Sequence, residues 1–168
     1  NALLTSSITF LATANAARMC NAPVVLADVD PETGLMTAAT IENALKTSKY
    51  KIAVITVVHL TGRVCDLKAI SKVAKKYGCL IVEDACHAIG TFYTENGNGY
   101  PVGACVHSDI TVFSFHPVKT IAMGEGGAVT SADEVLLQKI ERLHNHGTTR
   151  SISQYASPEN AGPGYYEM

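Results

Sequence analysis

Lys51–Glu83, KIAVITVVHLTGRVCDLKAISKVAKKYGCLIVE, is the stretch that decides the fold. Its first part, Lys51 to Leu60, is nearly continuous in apolar character, as expected of a strand whose two faces are both covered by helices. Gly62 ends that run. Asp66 then opens a predicted helix through Tyr77, with Leu67, Ile70, Val73 and Ala74 at helical spacing and Gly78 as its stop. Cys79 to Glu83 (CLIVE) follows as a second strand, so the stretch has the form of a βαβ unit on a largely parallel sheet.

The flanks repeat the pattern. Pro23 to Val29 (PVVLADV) reads as a buried strand closed by the turn-forming Asp30-Pro31-Glu32-Thr33-Gly34. Thr40 is expected to N-cap a helix over Ile41 to Lys46, with Ile41, Ala44 and Leu45 on one face. Beyond the central unit, a polar, Gly-rich loop from Glu95 to Gly103 leads to a strand at Asp109–Phe115 (DITVFSF) and a short one at Gly127–Thr130. Ser131 or Asp133 caps a helix running to about His144, and from Ser151 onward no strong periodicity remains. The expected fold class is α/β: a three-layer α/β/α sandwich around a mostly parallel sheet.

The chain has 168 residues, 47% of them hydrophobic and 17% charged, the composition of a soluble globular protein with a sizeable core. A net charge of -2 and a pI near 6.3 give no electrostatic reason to expect nucleic acid or an anionic membrane as partner. Any bound anion must be held locally. The five cysteines are scattered and form no C-x-x-C pair, which suits reduced cytosolic thiols and argues against a zinc site. No apolar run is long enough to span a bilayer, and the N-terminus lacks the charged start of a signal peptide, so a cytoplasmic location is expected. The chain starts at Asn1 without an initiator Met and stops at Met168 after the Gly/Pro/Tyr-rich run Ala161–Tyr166, which reads as a segment of something longer or, by composition alone, as a flexible tail.

In open α/β sheets the binding crevice lies beyond the carboxyl ends of the parallel strands. Asp84 follows the CLIVE strand, in EDACHAIG (Glu83–Gly90). Ser114 ends the DITVFSF strand, Lys119 comes five residues later, and a glycine-rich turn, Gly124-Glu125-Gly126-Gly127, is next. Each has an ordinary explanation: a helix N-cap, a solvated loop lysine, a tight turn. Together they offer what pyridoxal phosphate requires: a carboxylate for the pyridine nitrogen, a hydroxyl beside free backbone N–H groups for the phosphate, and a lysine for a Schiff base.

From Asn1 to about Arg150 the chain resembles the sugar aminotransferases of the DegT/DnrJ/EryC1/StrS family, a branch of the fold-type-I pyridoxal-phosphate enzymes. EDACHAIG is similar to the family's EDA(S/A)-(H/Q)-A-x-G signature, and FSFHPVKTIAMGEGGAV to its S-F-x-x-x-K…GEGG segment. SFHPVKT together with His87 most resembles the branch acting on UDP-linked 4-keto-6-deoxy-hexosamines in pseudaminic acid synthesis. The resemblance implies that Lys119 is the catalytic Schiff-base lysine and proton shuttle, that Asp84 pairs with the pyridine nitrogen, that His87 orients the cofactor near its phenolic oxygen, and that Ser114 binds the phosphate. It places Phe10, in Ile8–Thr13 (ITFLAT), where relatives stack an aromatic ring on the cofactor; a core aromatic at a strand end is an equal reading. His116 and His146-Gly147 also match family positions, without an assigned role.

The cofactor implied is pyridoxal 5'-phosphate, and the reaction moves an amino group from an amino acid, with L-glutamate the expected donor, to a nucleotide-linked keto sugar. A homodimer is implied too. Residues 1–150 would be the central part of the transferase large domain, and 151–168 an irregular segment leading to a C-terminal region. A phosphate-cup turn upstream, and an N-Y-R segment and small domain downstream of Gly164-Tyr165-Tyr166, are absent from these residues, so the segment by itself is expected to turn over weakly or not at all. Three alternatives stay open: a non-catalytic or regulatory relative, a sugar dehydratase in which histidine replaces the lysine, and another nucleotide-binding domain. Lys119 opposes the second; the third finds neither G-x-G-x-x-G after the first strand nor a G-x-x-x-x-G-K-[ST] loop.

Overall fold

The computed structural model describes residues 1–163 and 165–167; Gly164, within the Gly/Pro/Tyr-rich run, and Met168 lie outside the described residues. The chain divides into two units, Asn1–Ala132 and Asp133–Met168.

The first unit alternates strands and helices: β1 (Ala2–Ser6), α1 (Ala12–Met19), β2 (Val24–Ala27), α2 (Ala38–Thr47), β3 (Ile52–Val58), α3 (Leu67–Tyr77) and β4 (Leu80–Asp84), then the hairpin β5 (Phe92–Glu95) and β6 (Asn98–Pro101), and finally β7 (Ile110–Ser114) and β8 (Gly127–Thr130). The main sheet has the order β2-β1-β3-β4-β7-β8. All pairs are parallel except β7 with β8. From β1 the chain steps to β2 at one edge, then turns back across the sheet to β3 and β4. Because parallel crossovers are right-handed, that reversal puts α1 on one face and α2 and α3 on the other.

The face under α2 and α3 holds the core. Leu4, Ile55 and Ile81 stand side by side in register. With Ile41 and Ala44 of α2 and Leu67, Ile70 and Ala74 of α3 they form one buried cluster. Each such large aliphatic side chain contributes roughly 1.5–3 kcal/mol by leaving water. The opposite face is covered unevenly: Leu3, Val24, Leu26, Val54, Leu80, Val82 and Ile110 are half-buried or exposed, whereas Thr5, Thr56 and Val58, toward the carboxyl ends of their strands, are buried. The apolar run of β3 is buried on both faces from Ile55 to Val58, as expected, and cover thins only at Ala53 and Val54; on that side α1 packs against β1 and β2 and buries only Ala17 of its own residues.

The helix over Asp66–Tyr77 forms as expected, with Asp66 Oδ1 accepting from Ala69 N and Gly78 stopping it in the left-handed conformation at φ 68°. The preceding helix starts earlier than expected. Thr37, not Thr40, is its N-cap, and Thr40 is the third helical residue: Thr37 Oγ1 accepts from Thr40 N at 3.2 Å while Thr40 Oγ1 accepts from Thr37 N at 3.0 Å. Two threonines closing a reciprocal box satisfy more orphan amides than Thr40 capping alone. Glu95–Gly103 is not a plain loop either; β5 and β6 pair antiparallel across Asn96-Gly97, both at positive φ. β1 and α1 had no counterpart in the sequence reading.

In the second unit α4 (Glu134–His144) is capped by Asp133, whose carboxylate accepts from Val135 N and Leu136 N. Two single 3₁₀ turns follow, Ile152–Gln154 and Pro158–Asn160. Glu167 then pairs with Thr149 and accepts from Ser157 N at 3.1 Å, so polar anchors replace periodic packing there.

Candidate functional site

β1, β3, β4 and β7 are parallel neighbours, so their carboxyl ends lie along one edge of the sheet. The chain leaves β1 in one direction and β3 in the other, which makes that edge a topological switch point. A cleft of about 700 Å³ opens there, lined by Ile8 to Phe10 after β1, Leu60 after β3, Asp84, Cys86 and His87 around the end of β4, and Ser114, His116, Val118 and Lys119 around and after the end of β7. All five residues singled out in the sequence, Phe10, Asp84, His87, Ser114 and Lys119, line this one cleft.

Asp84 is gripped from two sides. Thr13 Oγ1, near the start of α1, donates to Asp84 Oδ2 at 2.7 Å, and the Cys86 N–H donates to Oδ1 at 3.2 Å. These two donors fix the plane of its carboxyl group. Cys86 beside it is no nucleophile: burial, reinforced by the hydrogen bond and charge of Asp84, pushes its thiol up to about 12, against a smaller pull from the Lys119 cation.

His87 is exposed toward the cleft, and its Nδ1 accepts from Thr61 N at 3.4 Å, which leaves Nε2 as the ring's donor. Ser114 Oγ accepts from His116 N at 3.3 Å, so its hydroxyl proton remains to be donated. The segment after Ser114 folds back on itself: Lys119 N donates to His116 O, Met123 N to Phe115 O, and Phe115 N to Gly126 O. Gly127 is required where β8 begins, because a Cβ there would stand 2.8 Å from the Phe113 carbonyl oxygen. Phe10 is 75% exposed, so the core-aromatic reading of it does not hold.

Thr13 was missed as a site residue. Its signal in the sequence was slight, one hydroxyl in the small-residue run Ala12–Ala17. Among the described residues no group of three or more His, Cys, Asp and Glu is placed to hold a metal ion, and no helix is long and apolar enough to cross a membrane.

A parallel sheet flanked by helices, with its cleft at the carboxyl edge, is the architecture of the fold-type-I pyridoxal-phosphate transferases. The chain belongs to the DegT/DnrJ/EryC1/StrS aminotransferase family, whose profile matches residues 1–166. It is 38% identical over 148 residues to the UDP-4-amino-4,6-dideoxy-N-acetyl-beta-L-altrosamine transaminase of Campylobacter jejuni, covering 88% of this chain and 38% of that protein. Among solved structures it is similar to Helicobacter pylori PseC, an aminotransferase involved in the biosynthesis of pseudoaminic acid, with TM-score 0.78, 28% identity, and coverage of 90% of this chain and 38% of that one. It is also similar to Bacillus subtilis ntda with bound cofactor PMP, with TM-score 0.71, 29% identity, and coverage of 84% and 30%. The chain spans about two fifths of the length of the curated relatives it matches.

Proposed function

We propose that this chain is the cofactor-bearing centre of a pyridoxal-phosphate-dependent aminotransferase for nucleotide-linked keto sugars. The observation that carries the proposal is the convergence of the Asp84 carboxylate, the Ser114 hydroxyl and the Lys119 side chain in one cleft at the strand ends. The donor set fits the cofactor: an anionic carboxylate already held by Thr13 and the Cys86 amide suits a protonated ring nitrogen, and a serine with a proton to spare suits a phosphate oxygen.

When bound, pyridoxal phosphate supplies an aldehyde that condenses with amines and a ring that accepts electrons. Lys119 Nζ would be the amine that holds it and the group that carries a proton to and from the substrate carbon. Asp84 would hold the protonated ring nitrogen, His87 would offer Nε2–H to the cofactor, Ser114 would hold the phosphate, and Phe10, on the cleft rim, would pack against the ring.

Names of relatives support the substrate class, a UDP-linked amino or keto hexose. L-Glutamate as donor, a homodimer, a cytoplasmic location, and residues 1–150 as the middle of the large domain belong to the same proposal. The test is cofactor binding rather than turnover, because the chain covers only part of its relatives. Adding pyridoxal phosphate to the wild-type chain should raise a visible absorbance band that sodium borohydride bleaches as it fixes the cofactor to Lys119, and Lys119→Ala should lose both the band and the adduct. A Lys119→Ala variant that keeps the band and the adduct overturns the assignment.

A further inference from the structure

Beneath the cleft, β3 and β4 end in a polar cluster that the mechanism above leaves unused. His59 and Glu83 are both buried, at 0% and 1% exposure, with His59 Nε2 lying 2.8 Å from Glu83 Oε2. An ionisable pair in an apolar interior is hard to justify by stability alone, since well-packed apolar residues of similar volume do as well or better.

Four contacts run through His59. Its N–H donates to Asp84 O at 3.0 Å, its C=O accepts from Gly62 N at 3.1 Å, its Nδ1 accepts from Cys65 N at 3.3 Å, and Nε2 faces Glu83. Because Nδ1 is engaged by a backbone N–H, the ring proton sits on Nε2 and is donated to Glu83. The other oxygen of Glu83 accepts from Thr111 Oγ1 at 3.0 Å and from Ser108 Oγ. Burial pushes the Glu83 carboxyl up, but the hydrogen bonds from His59, Ser108 and Thr111 outweigh it and hold it below the usual carboxylate range. The cluster thus joins β3, β4, β7 and the Leu60–Cys65 loop around one carboxylate.

The residues next to this pair are those that face the cleft. Glu83 precedes Asp84, and alternation along β4 sends the two side chains to opposite faces. Thr61, two residues after His59, is the donor to His87 Nδ1. We propose that His59 and Glu83 are positioning residues that fix the ends of β3 and β4 together and so set the orientation of Asp84 and His87 toward the cofactor. The proposal rests on reading Asp84 and His87 as cofactor contacts; neither His59 nor Glu83 touches the cleft.

The test uses the chain with pyridoxal phosphate as probe. Glu83→Gln puts an amide N–H against either the His59 donor or the two hydroxyl donors, and Thr111→Val removes one donor at nearly constant volume. Glu83→Gln should raise the dissociation constant for pyridoxal phosphate by about tenfold, the low end of what losing such outer partners costs in metal sites. The same change in an Asp84→Asn, His87→Ala background should have far less effect, because its action runs through those two side chains. Equal effects in the two backgrounds overturn the proposal.

If Asp84→Asn alone leaves binding unchanged, it is the cofactor reading that fails. The positioning claim is then read in the cofactor-free chain: Glu83→Gln, or Thr111→Val should the former not fold, must speed hydrogen exchange at the Cys86 amide, which donates to Asp84. Ring nitrogen NMR of wild-type His59 gives an independent readout. A proton on Nε2 is expected; one on Nδ1 overturns the proposal.

Discussion

At the scale of single residues, the cleft separates side chains that are chemically available from those that are merely near. Cys86 sits between Asp84 and His87, yet its thiol is pushed up to about 12, by burial first and by Asp84 second. At about pH 8 only about one molecule in ten thousand would carry the thiolate. Cys65, buried and beside Glu83, is pushed up as far, and burial raises Cys79 as well. Cys20 lies exposed at the end of α1. Iodoacetamide labelling followed by peptide mass spectrometry should therefore mark Cys20 first and leave Cys86 among the slow sites; equal rates at the two would contradict the environment assigned to Cys86. Thr13 supplies the other grip on Asp84. Nothing in the spacing of the EDACHAIG segment reveals it, because the two residues meet only after β1 and β4 have been brought into one sheet.

At the scale of elements, sequence signals were readable where a helix or strand stops itself and unreadable where a partner decides. Asp66 and Gly78 bound α3 because one side-chain oxygen and one left-handed residue end a helix locally. Thr37 and Thr40 form a reciprocal pair that single-cap reasoning shifted by one turn. Thr37→Ala should cost about 1 kcal/mol, which in a chain of this length lowers the melting temperature by about 3 °C. Thermal unfolding followed by circular dichroism checks this, and an unchanged melting temperature would discount the box. The hairpin β5–β6 did carry a local sign, Asn96-Gly97, but its second strand, Asn98–Pro101, with a glycine and a proline in four residues, hid it. β1 was passed over because a buried strand needs β2 and β3 on either side before its short apolar run means anything. The strand-end residues Asp84, Ser114 and Lys119 were legible for the opposite reason. Parallel strands must present their carboxyl ends together, so order along the chain implied a shared edge.

At the scale of the whole molecule, electrostatics favour neutral pH. Asp30 is held below the usual carboxylate range by hydrogen bonds from Thr33, Glu42 by those from Lys76 and Lys46, and Glu95 by those from Lys68 and His107. Glu83 is held low too, its three donors overcoming burial. A carboxyl whose folded value is depressed contributes stability above its unfolded value and loses it as pH falls through the folded one. The melting temperature should thus stay level from about pH 7 to 5 and fall steadily below about pH 4. Melts at stepped pH give the check, and a melting temperature that rises on acidification would refute the sign.

The half-covered face of the sheet has a colloidal consequence. Leu26 and Leu80 stand 60% and 54% exposed on it, amid a field of valine and leucine running across the strands. Removing apolar surface from water yields roughly 25 cal/mol per Å², so contact between two such faces is a strong attraction. A net charge of -2 supplies little long-range repulsion against it. This side of the sheet therefore adds to the attraction between copies of the polypeptide as its concentration rises. A single lysine or glutamate in place of Leu26 or Leu80, on the face away from the α2 and α3 core, is the change by which its solubility would be raised.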